Sequence, residues 1–307
     1  MKKLLPLLLF MIFGPLYLMA QNMDIPENPL ELGFRIGTSH FLGDLGGQKG
    51  IGKPFLRDTD LKSLRPVIGI FGRWNIGRYF SLRLNLNYLQ VAGDDKLSGN
   101  NKDYSPQVLA PDDAWFRWYR NLNFRSRIIE ASIMAEIVPY TFKLNKMNDL
   151  LPYGFVGAGL FNFKPQGSYN GRWINLQPLA TEGQGFVEGR APYKLTQLCL
   201  PMGLGIKWRM KGSWMVALEV NHRLTFTDYI DDVSTNYIDP QLFWDNMPID
   251  QAAIAAAMAR RSIEIDPSLI RGHISSPGQQ RGDPKDNDSY YSINITLSRY
   301  IVPHWVE

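Results

Sequence analysis

The chain has 307 residues, a formal net charge of +4 and a single cysteine, and 12% of its residues are aromatic. One cysteine cannot form an internal disulfide, which excludes the small disulfide-stapled folds of many exported proteins. The charge balance lacks the strongly basic character of nucleic-acid-binding domains, so we predict no nucleic-acid partner.

Residues 1–20 have the order of a secretory signal peptide. Lys2 and Lys3 give a basic start, an apolar run interrupted by proline follows, and Ala20 precedes a plausible cleavage point. The apolar run is too short for a membrane helix, which needs about 20 apolar residues; a retained N-terminal anchor is the alternative. Cleavage removes two lysines and no acid, so the remaining single domain, residues 21–307, carries a net charge of +2.

From residue 31 onward, apolar and polar residues alternate with a period of two, which predicts β-strands. In FSLRLNLNY, residues 80–88, every second residue from Phe80 is apolar, whereas Arg83 and Asn85 lie on the opposite face. Segments of roughly ten residues, the length of tilted membrane-spanning strands, follow this pattern, less cleanly in the first, second and fifth. They are 31–41, 65–74, 80–88, 127–138, 152–163, 196–208, 213–223 and 291–298.

The polar faces of these strands carry mid-strand charges of both signs. The candidate lumen residues are Arg83, Glu130, Glu136, Lys207, Glu219 and Arg223. A narrow barrel with an apolar exterior and an ion-paired polar interior accounts for this pattern. A soluble sandwich or a lipocalin-type barrel could carry the same charges on its outer face, so the pattern alone leaves both classes open.

The lengths of the connections favour the membrane barrel. Short connections at 75–78, 139–150 and 210–212 alternate with long ones at about 42–64, 92–124, 164–194 and 225–289. Transmembrane barrels have short periplasmic turns and long external loops in this way. We therefore predict an all-β fold, a transmembrane antiparallel up-and-down β-barrel of about eight strands, integral to the outer membrane.

The short connections are basic. They contain five basic residues, Arg78, Lys143, Lys146, Arg209 and Lys211, against the single acid Asp149. Because the whole processed chain carries only +2, its positive charge is concentrated at the periplasmic rim. We expect this rim to contact either a periplasmic protein partner or outer-membrane lipid head groups.

The stretch TFTDYIDDVSTNYID, residues 225–239, concentrates acidic residues in the longest external loop. Its candidate residues are Asp228, Tyr229, Asp231 and Asp232. A hydrolytic set with His222 is disfavoured because His222 shares the parity of the apolar, outward face. A calcium site is the second alternative, although the spacing lacks the order of a known calcium loop. We predict a structured loop whose carboxylates accept backbone N–H bonds, with no metal, cofactor or small-molecule substrate.

Two further external segments invite functional interpretations. DQAAIAAAMARR, residues 250–261, predicts a short helix with Asp250 as its N-cap, packed through Ile254 and Met258. It would serve as a lid or partner helix, or simply fill the loop. RGD at 281–283 matches a cell-adhesion tripeptide, but we interpret it as the start of a turn.

Four stretches together resemble a known family. These are 121–137 (NLNFRSRIIEASIMAEI), 169–185 (YNGRWINLQPLATEGQG), 225–239 and 281–298 (RGDPKDNDSYYSINITLS). They resemble the PorG-type outer-membrane β-barrels of Bacteroidetes, which are associated with the type IX secretion system, over roughly residues 30–300.

The resemblance implies a non-enzymatic component of the type IX protein secretion machinery. Such a protein joins the outer membrane to a periplasmic ring, formed by a lipoprotein and its periplasmic partner. The family has no known catalytic residues, so none carry over to this chain. The alternative function is that of a free-standing small barrel acting as an adhesin or membrane stabiliser.

Overall fold

The computed structural model of the protein describes residues 30–45, 63–76, 79–97, 113–139, 142–145, 148–210, 213–265 and 275–301. The predicted signal peptide, residues 1–20, lies outside these ranges. None of the helices within them has the length and apolar character needed to cross a membrane.

Strands dominate the described ranges, with ten in chain order. They are β1 Leu30–Leu42, β2 Arg65–Ile76, β3 Phe80–Asp94, β4 Asn123–Ile137, β5 Phe142–Asn145, β6 Asn148–Tyr169, β7 Arg172–Asn175, β8 Thr196–Arg209, β9 Trp214–Thr225 and β10 Ser289–Ile301. The α-helices in the same ranges are α1 Asp113–Arg120, α2 Gln241–Asn246 and α3 Ile249–Ala259.

Eight of these strands form a closed antiparallel barrel. Each pairs with its neighbour in the chain in the order β1, β2, β3, β4, β6, β8, β9, β10, and β10 pairs with β1 to complete the ring. The short strands β5 and β7 form hairpin extensions at the two ends of β6. The predicted all-β, up-and-down barrel is confirmed.

The strands are longer than predicted. The sequence pattern indicated segments of roughly ten residues, whereas the barrel strands span 12 to 22 residues. The longest, β6, continues well past Leu160, the last exposed apolar residue on its outward face. The alternation of apolar and polar residues therefore detects only the part of each strand that faces lipid. Beyond that part the strands still pair through backbone hydrogen bonds, but their outward residues need not be apolar.

The distribution of side chains is inside-out relative to a soluble protein. Outward residues such as Ile70 and Leu204 are 61% and 71% exposed, whereas inward residues such as Arg83 and Glu219 are fully buried. A closed ring also leaves no unpaired strand edge in the apolar region, where water could not satisfy it. These two features identify a transmembrane barrel with an apolar belt, defined here as the exposed apolar residues on the outward face of the eight strands.

The connections are sorted between the two ends of the barrel as predicted. Residues 43–64, 95–122, 170–195 and 226–288 join strands at one end, and 77–79, 138–147 and 210–213 join them at the other. Exposed Trp74, Trp208 and Trp214 mark the end with the short connections, which suits an aromatic girdle at the membrane surface. We call the described parts of the four long connections the external cap.

The helix predicted within 250–261 is present as α3, but its start differs. Pro248 occupies the capping position with an extended ψ of 145°, and Asp250 lies in the first turn, so the predicted Asp250 N-cap is wrong. The fixed φ of proline suits the residue that leads into a helix. Met258 is buried and Ile254 partly buried in one apolar cluster with Phe243 of α2, so α3 packs within the cap.

Candidate functional site

The barrel interior holds a continuous network of ion pairs. All six sequence-predicted lumen residues lie inside it and are buried: Arg83, Glu130, Glu136, Lys207, Glu219 and Arg223. Glu136 on β4 is its centre, because its carboxylate lies 2.8 Å from Arg73 Nε, 2.9 Å from Arg83 Nε and 2.8 Å from Lys207 Nζ. Side chains from three different strands therefore converge on one carboxylate.

The network continues through Glu219 of β9. Its carboxylate accepts a hydrogen bond of 2.5 Å from Arg83 Nη1 and another of 2.5 Å from the Tyr153 hydroxyl. Arg35 Nη2 lies 3.7 Å away on the other carboxylate oxygen. Arg83 thus bridges Glu136 and Glu219 across the barrel interior.

Glu130 of β4 forms a separate node nearer the external cap. Its carboxylate accepts hydrogen bonds from Arg223 Nε at 3.0 Å, Asn87 Nδ2 at 2.9 Å and the Tyr290 hydroxyl at 3.1 Å. Arg223 also donates to the Ser292 hydroxyl at 2.5 Å. Side chains of β3, β4, β9 and β10 therefore meet at this node, and the buried apolar side chains of Phe161 and Cys199 lie in the cluster that contains Tyr290.

Sequence reasoning missed three charged lumen residues. Glu31 and Arg35 lie on β1 and Arg73 lies on β2, all of them buried, and Arg73 pairs directly with Glu31. Of the three, only Arg35 could have been found from the sequence, because it alternates with the apolar residues of the first strand. Glu31 and Arg73 lie near strand ends, where the alternation of apolar and polar residues is weakest. With these three, five cations face four carboxylates, so the buried charges are nearly balanced.

The predicted acidic stretch lies in the external cap and accepts bonds from other connections. Asp231 accepts backbone N–H bonds from Leu45 at 3.1 Å and Val233 at 2.9 Å. Asp232 accepts from the Thr181 hydroxyl at 2.5 Å and the Tyr193 hydroxyl at 2.6 Å. The stretch therefore ties the first, third and fourth long connections together.

Neither alternative for the acidic stretch finds support in the geometry. Among the described residues, no group of three or more histidine, cysteine, aspartate or glutamate side chains is arranged to hold a metal ion. His222 lies on β9 with the outward parity of the exposed Leu224, whereas Asp231 and Asp232 are buried inside the cap. The three side chains do not form one catalytic set.

Two ionic clamps of the cap escaped sequence reasoning. Glu182 accepts bonds from the Ser234 and Thr235 amides at 2.9 and 3.0 Å and from Arg281 Nη1 at 2.7 Å. Arg120, at the end of α1, pairs with Asp95 at 2.8 Å and donates to the Arg281 carbonyl at 2.7 Å. Arg281 is the first residue of the RGD tripeptide and is only 3% exposed, so it is a structural residue of the cap.

We expect Tyr229→Ala to loosen the cap more than Asp232→Asn. The Tyr229 ring stacks on Tyr193 with centroids 4.5 Å apart and packs on the buried cluster at the barrel mouth. Asparagine at 232 keeps an acceptor and tolerates the left-handed φ of 68° better than most residues. Protease cleavage rates of the folded barrel in detergent measure both effects, and the opposite order, with calcium-dependent melting, would favour a cation site.

The stability of the cap should fall as pH rises. Burial, followed by repulsion from Asp44 and Glu182, raises the pKa of Asp228 to about 8, and burial also raises the pKa values of Asp231 and Asp288 well above their usual range. A carboxyl whose pKa is higher in the folded than in the unfolded protein makes its full contribution to stability below about pH 4, where it is protonated in both states. That contribution is lost as the pH rises from about 4 to the folded pKa.

Asp228→Asn tests this pH dependence because it removes one of the titrating groups. The difference in cap stability between the variant and the parent should widen in favour of the variant from about pH 5 to about pH 8. Urea-dependent proteolysis, normalised to an unfolded substrate at each pH, measures the difference. A constant difference across this range contradicts the expectation.

The predicted periplasmic rim is only partly within the described residues. Arg78, Lys146 and Lys211 lie outside them. Lys143 lies opposite Asp149 in the register of β5 with β6. Arg209 is exposed at the end of β8 and interacts with Tyr300. The structure therefore places two of the five residues at the end with the short connections.

Comparison with known proteins finds several barrels and no curated relative. No curated protein matches the chain. Outer membrane protein OprG from Pseudomonas aeruginosa is 9% identical, with a TM-score of 0.36 over 89% of this chain and 97% of that chain. Ail, the attachment invasion locus protein of Yersinia pestis, is 8% identical, with a TM-score of 0.35 over 89% and 99%. Neisserial surface protein A is 9% identical, with a TM-score of 0.35 over 89% and 97%.

Similarities at this level of identity and TM-score say nothing about what this chain binds. A family profile is more informative about the sequence, because its match extends from residue 6 to residue 242. That range covers well over half of the 307 residues and includes all the barrel strands except β10. The chain therefore belongs to the family described as "Domain of unknown function (DUF6089)".

Proposed function

We propose that this chain is a non-conducting, non-enzymatic outer-membrane barrel that anchors periplasmic partners. The observation that carries the proposal is the combination of an apolar belt with a lumen filled by buried ion pairs. The belt gives the chain a fixed position in a bilayer. Because the lumen is filled, the two ends of the barrel, rather than its interior, are the surfaces that can bind a partner.

The lumen network is incompatible with a simple aqueous pore. An eight-stranded barrel has room for little more than its own side chains. Here Arg83 spans from Glu136 to Glu219 at 2.9 and 2.5 Å, and Tyr153 fills the space beside Glu219. A passing ion would have to separate these pairs in a region with little water, which costs several kcal/mol per ion. We therefore assign a scaffold role in place of transport.

The finer proposal is that the anchored partner belongs to the type IX secretion machinery. Its support is the resemblance to PorG-type barrels and the concentration of basic residues at the periplasmic rim. Complementary charge steers encounter and fixes the orientation of a partner, so a basic rim suits docking of an acidic face of a periplasmic ring protein. Lipid head groups are the other ligand that such a rim could take.

A free-standing adhesin or membrane stabiliser is the second candidate function. The RGD tripeptide would be its most direct sequence feature. Its arginine is held inside the cap by Glu182 at 2.7 Å and by the Asp232 carbonyl at 2.6 Å. A receptor could reach that guanidinium only after the cap opened, so the anchoring function is favoured.

Charge reversal at the rim tests the proposal. The variant combines Lys146→Glu, Arg209→Glu and Lys211→Glu, and leaves Lys143 unchanged because it lies opposite Asp149. It should fold and insert, but should fail to retain periplasmic ring proteins in a pull-down from native membranes and should block secretion. The matched control is Lys96→Glu, Arg172→Glu and Lys285→Glu, three exposed residues at the external end.

The outcomes separate the candidate functions. Normal retention and secretion with the rim variant assign the rim to lipid and place any docking site elsewhere. If the parent protein itself retains no ring protein, the secretion role is wrong and the free-standing barrel becomes the better candidate. Single-channel recording on the parent barrel checks the non-conducting assignment separately.

A further inference from the structure

A row of three basic residues crosses the outer wall of the barrel near the external cap. In the register of β4 with β6, Arg127 lies directly opposite Lys164. Asn162 pairs with Thr196, and the Phe163 amide donates to the Leu195 carbonyl at 2.9 Å, so Lys194 lies opposite Lys164 on the other side. All three are exposed. We call Arg127, Lys164 and Lys194 the basic row.

The basic row stands immediately above the apolar belt. Leu160 pairs with Leu198 in the belt, and the next outward level contains Asn162 and Thr196. The level after that is the basic row, about 13 Å along β6 from Leu160 at about 3.3 Å per residue. On β6 the wall therefore changes from apolar Leu160 through polar Asn162 to cationic Lys164, whereas on β4 the exposed apolar Ile129 directly precedes Arg127.

Within the described part of the chain, the basic row has no acidic counterpart. None of the ion pairs formed there includes these three side chains. Like charges directly opposite each other on one face of a sheet are destabilising. A repeated arrangement of this kind is relieved when an anion lies between the side chains.

A fourth cation and an aromatic ring border the row. Arg125 lies one outward position beyond Arg127, where its guanidinium stacks over the Trp173 ring at 4.3 Å and its Nε donates to Gln166 at 3.0 Å. These contacts hold the Arg125 side chain against the wall rather than in bulk solvent. Tryptophan at this level also suits the interfacial region of a membrane.

We propose that the basic row binds a phosphate group of an anionic membrane lipid in the leaflet nearest the external cap. The lipid's acyl chains would lie along Leu160 and Leu198, which brings its head group to the level of the row. Charge complementarity and continuity with the belt favour a lipid over a free anion. This inference rests on the membrane position of the barrel and is independent of the secretion role.

The test uses the purified full chain in detergent with dioleoylphosphatidylglycerol as the probe and dioleoylphosphatidylcholine as the zwitterionic comparison. Native mass spectrometry measures the phosphatidylglycerol retained at increasing lipid concentration. The combined Arg127→Gln, Lys164→Gln, Lys194→Gln variant should bind it on the order of a hundredfold more weakly, about fivefold for each basic residue. The control is Lys96→Gln, Arg172→Gln, Lys285→Gln, which changes the same charge away from the row and should bind like the parent.

Two further measurements keep the inference testable if the triple variant does not fold. The single Lys164→Gln variant should weaken retention about fivefold, and retention by the parent should fall with added salt. Equal retention by parent and folded variants, or no preference for phosphatidylglycerol over phosphatidylcholine, overturns the proposal. Displacement of the lipid by inorganic phosphate, at an ionic strength at which sodium chloride leaves the lipid bound, also overturns it, because the row would then be a site for free phosphate.

Discussion

A chain in which Glu136 is replaced with leucine should unfold at a much lower temperature than the parent barrel. The substitution leaves Arg73, Arg83 and Lys207 in the lumen without the carboxylate that lies within 2.9 Å of each. Arg73 keeps Glu31 and Arg83 keeps Glu219, but the carboxylate that pairs with Lys207 is lost. Removing one partner of a buried pair typically costs about 3–5 kcal/mol, because the remaining charge has neither water nor a counter-ion. The difference in gel mobility between boiled and unboiled samples, followed against temperature, measures the midpoint of unfolding.

Three companion variants separate the charge effect from other causes. Glu136→Gln keeps the size and an acceptor, so its loss should be intermediate. Glu136→Leu combined with Lys207→Met should recover part of the loss, since the double variant leaves less uncompensated charge than the single one. Glu188→Leu changes an exposed carboxylate and should leave the midpoint unchanged. If Glu136→Leu unfolded at the parental midpoint, the charged faces of the strands would not be enclosed in the barrel interior.

Much of the barrel is predictable from sequence because the bilayer imposes a strict rule on one face. Residues such as Leu84 and Ile133 must be apolar because they face lipid. The residues that alternate with them, such as Asn85 and Ser132, face the lumen and can be polar. This alternation locates all eight barrel strands. It cannot locate their ends, because the ladder of β6 continues to Tyr169 through a region that no longer faces lipid.

The lumen network is only half predictable for a geometric reason. A mid-strand glutamate on a polar face, such as Glu136, is recognisable from parity alone. Its partners are not, because Arg73 lies 63 residues away on a strand separated from β4 by β3. Only the curvature of the closed barrel brings these side chains together across the lumen. Sequence parity gives the face of a residue but not the radius of the barrel.

The external cap was the least predictable part of the molecule. The acidic stretch stands out in the sequence, and its role as a set of acceptors follows from the turn preferences of aspartate. The donors come from distant connections, however: the Leu45 amide that bonds Asp231 is 186 residues away. Loops have no register from which such a pairing could be derived. The sequence alone therefore could not identify the ion pairs formed by Glu182, Arg120 and Arg281.

The second large effect is expected at Arg281, whose replacement with methionine should open the external cap while leaving the barrel folded. Its guanidinium lies 2.7 Å from Glu182 and 2.6 Å from the Asp232 carbonyl, and the side chain is almost fully buried. The nearby carboxyls of Asp44 and Asp228 already have raised pKa values, because burial disfavours their charge and neighbouring acids add to it. Loss of the arginine therefore removes positive charge where acids predominate.

The consequence should be confined to the cap because its contacts are separate from the lumen pairs. Leaving the buried Glu182 without its partner should cost about 3–5 kcal/mol locally, and local opening is governed by the stability of the affected unit. Proteolysis within residues 170–195 and 226–288 should then accelerate on the order of a hundredfold when opening is in rapid equilibrium. The boiled-to-unboiled mobility shift of the barrel should keep its parental midpoint.

Matched variants decide whether the charge of Arg281 is the cause. Lys285→Met removes an exposed cation four positions further along the same turn region and should leave cleavage unchanged. Adding Glu182→Gln to Arg281→Met should slow cleavage again, since the glutamine retains acceptors for the Ser234 and Thr235 amides without a buried charge. Cleavage of Arg281→Met at the parental rate would show that the cap does not depend on this clamp. Loss of the barrel midpoint together with the cap would show that the two unfold as one cooperative unit, contrary to the separation of contacts on which this prediction is based.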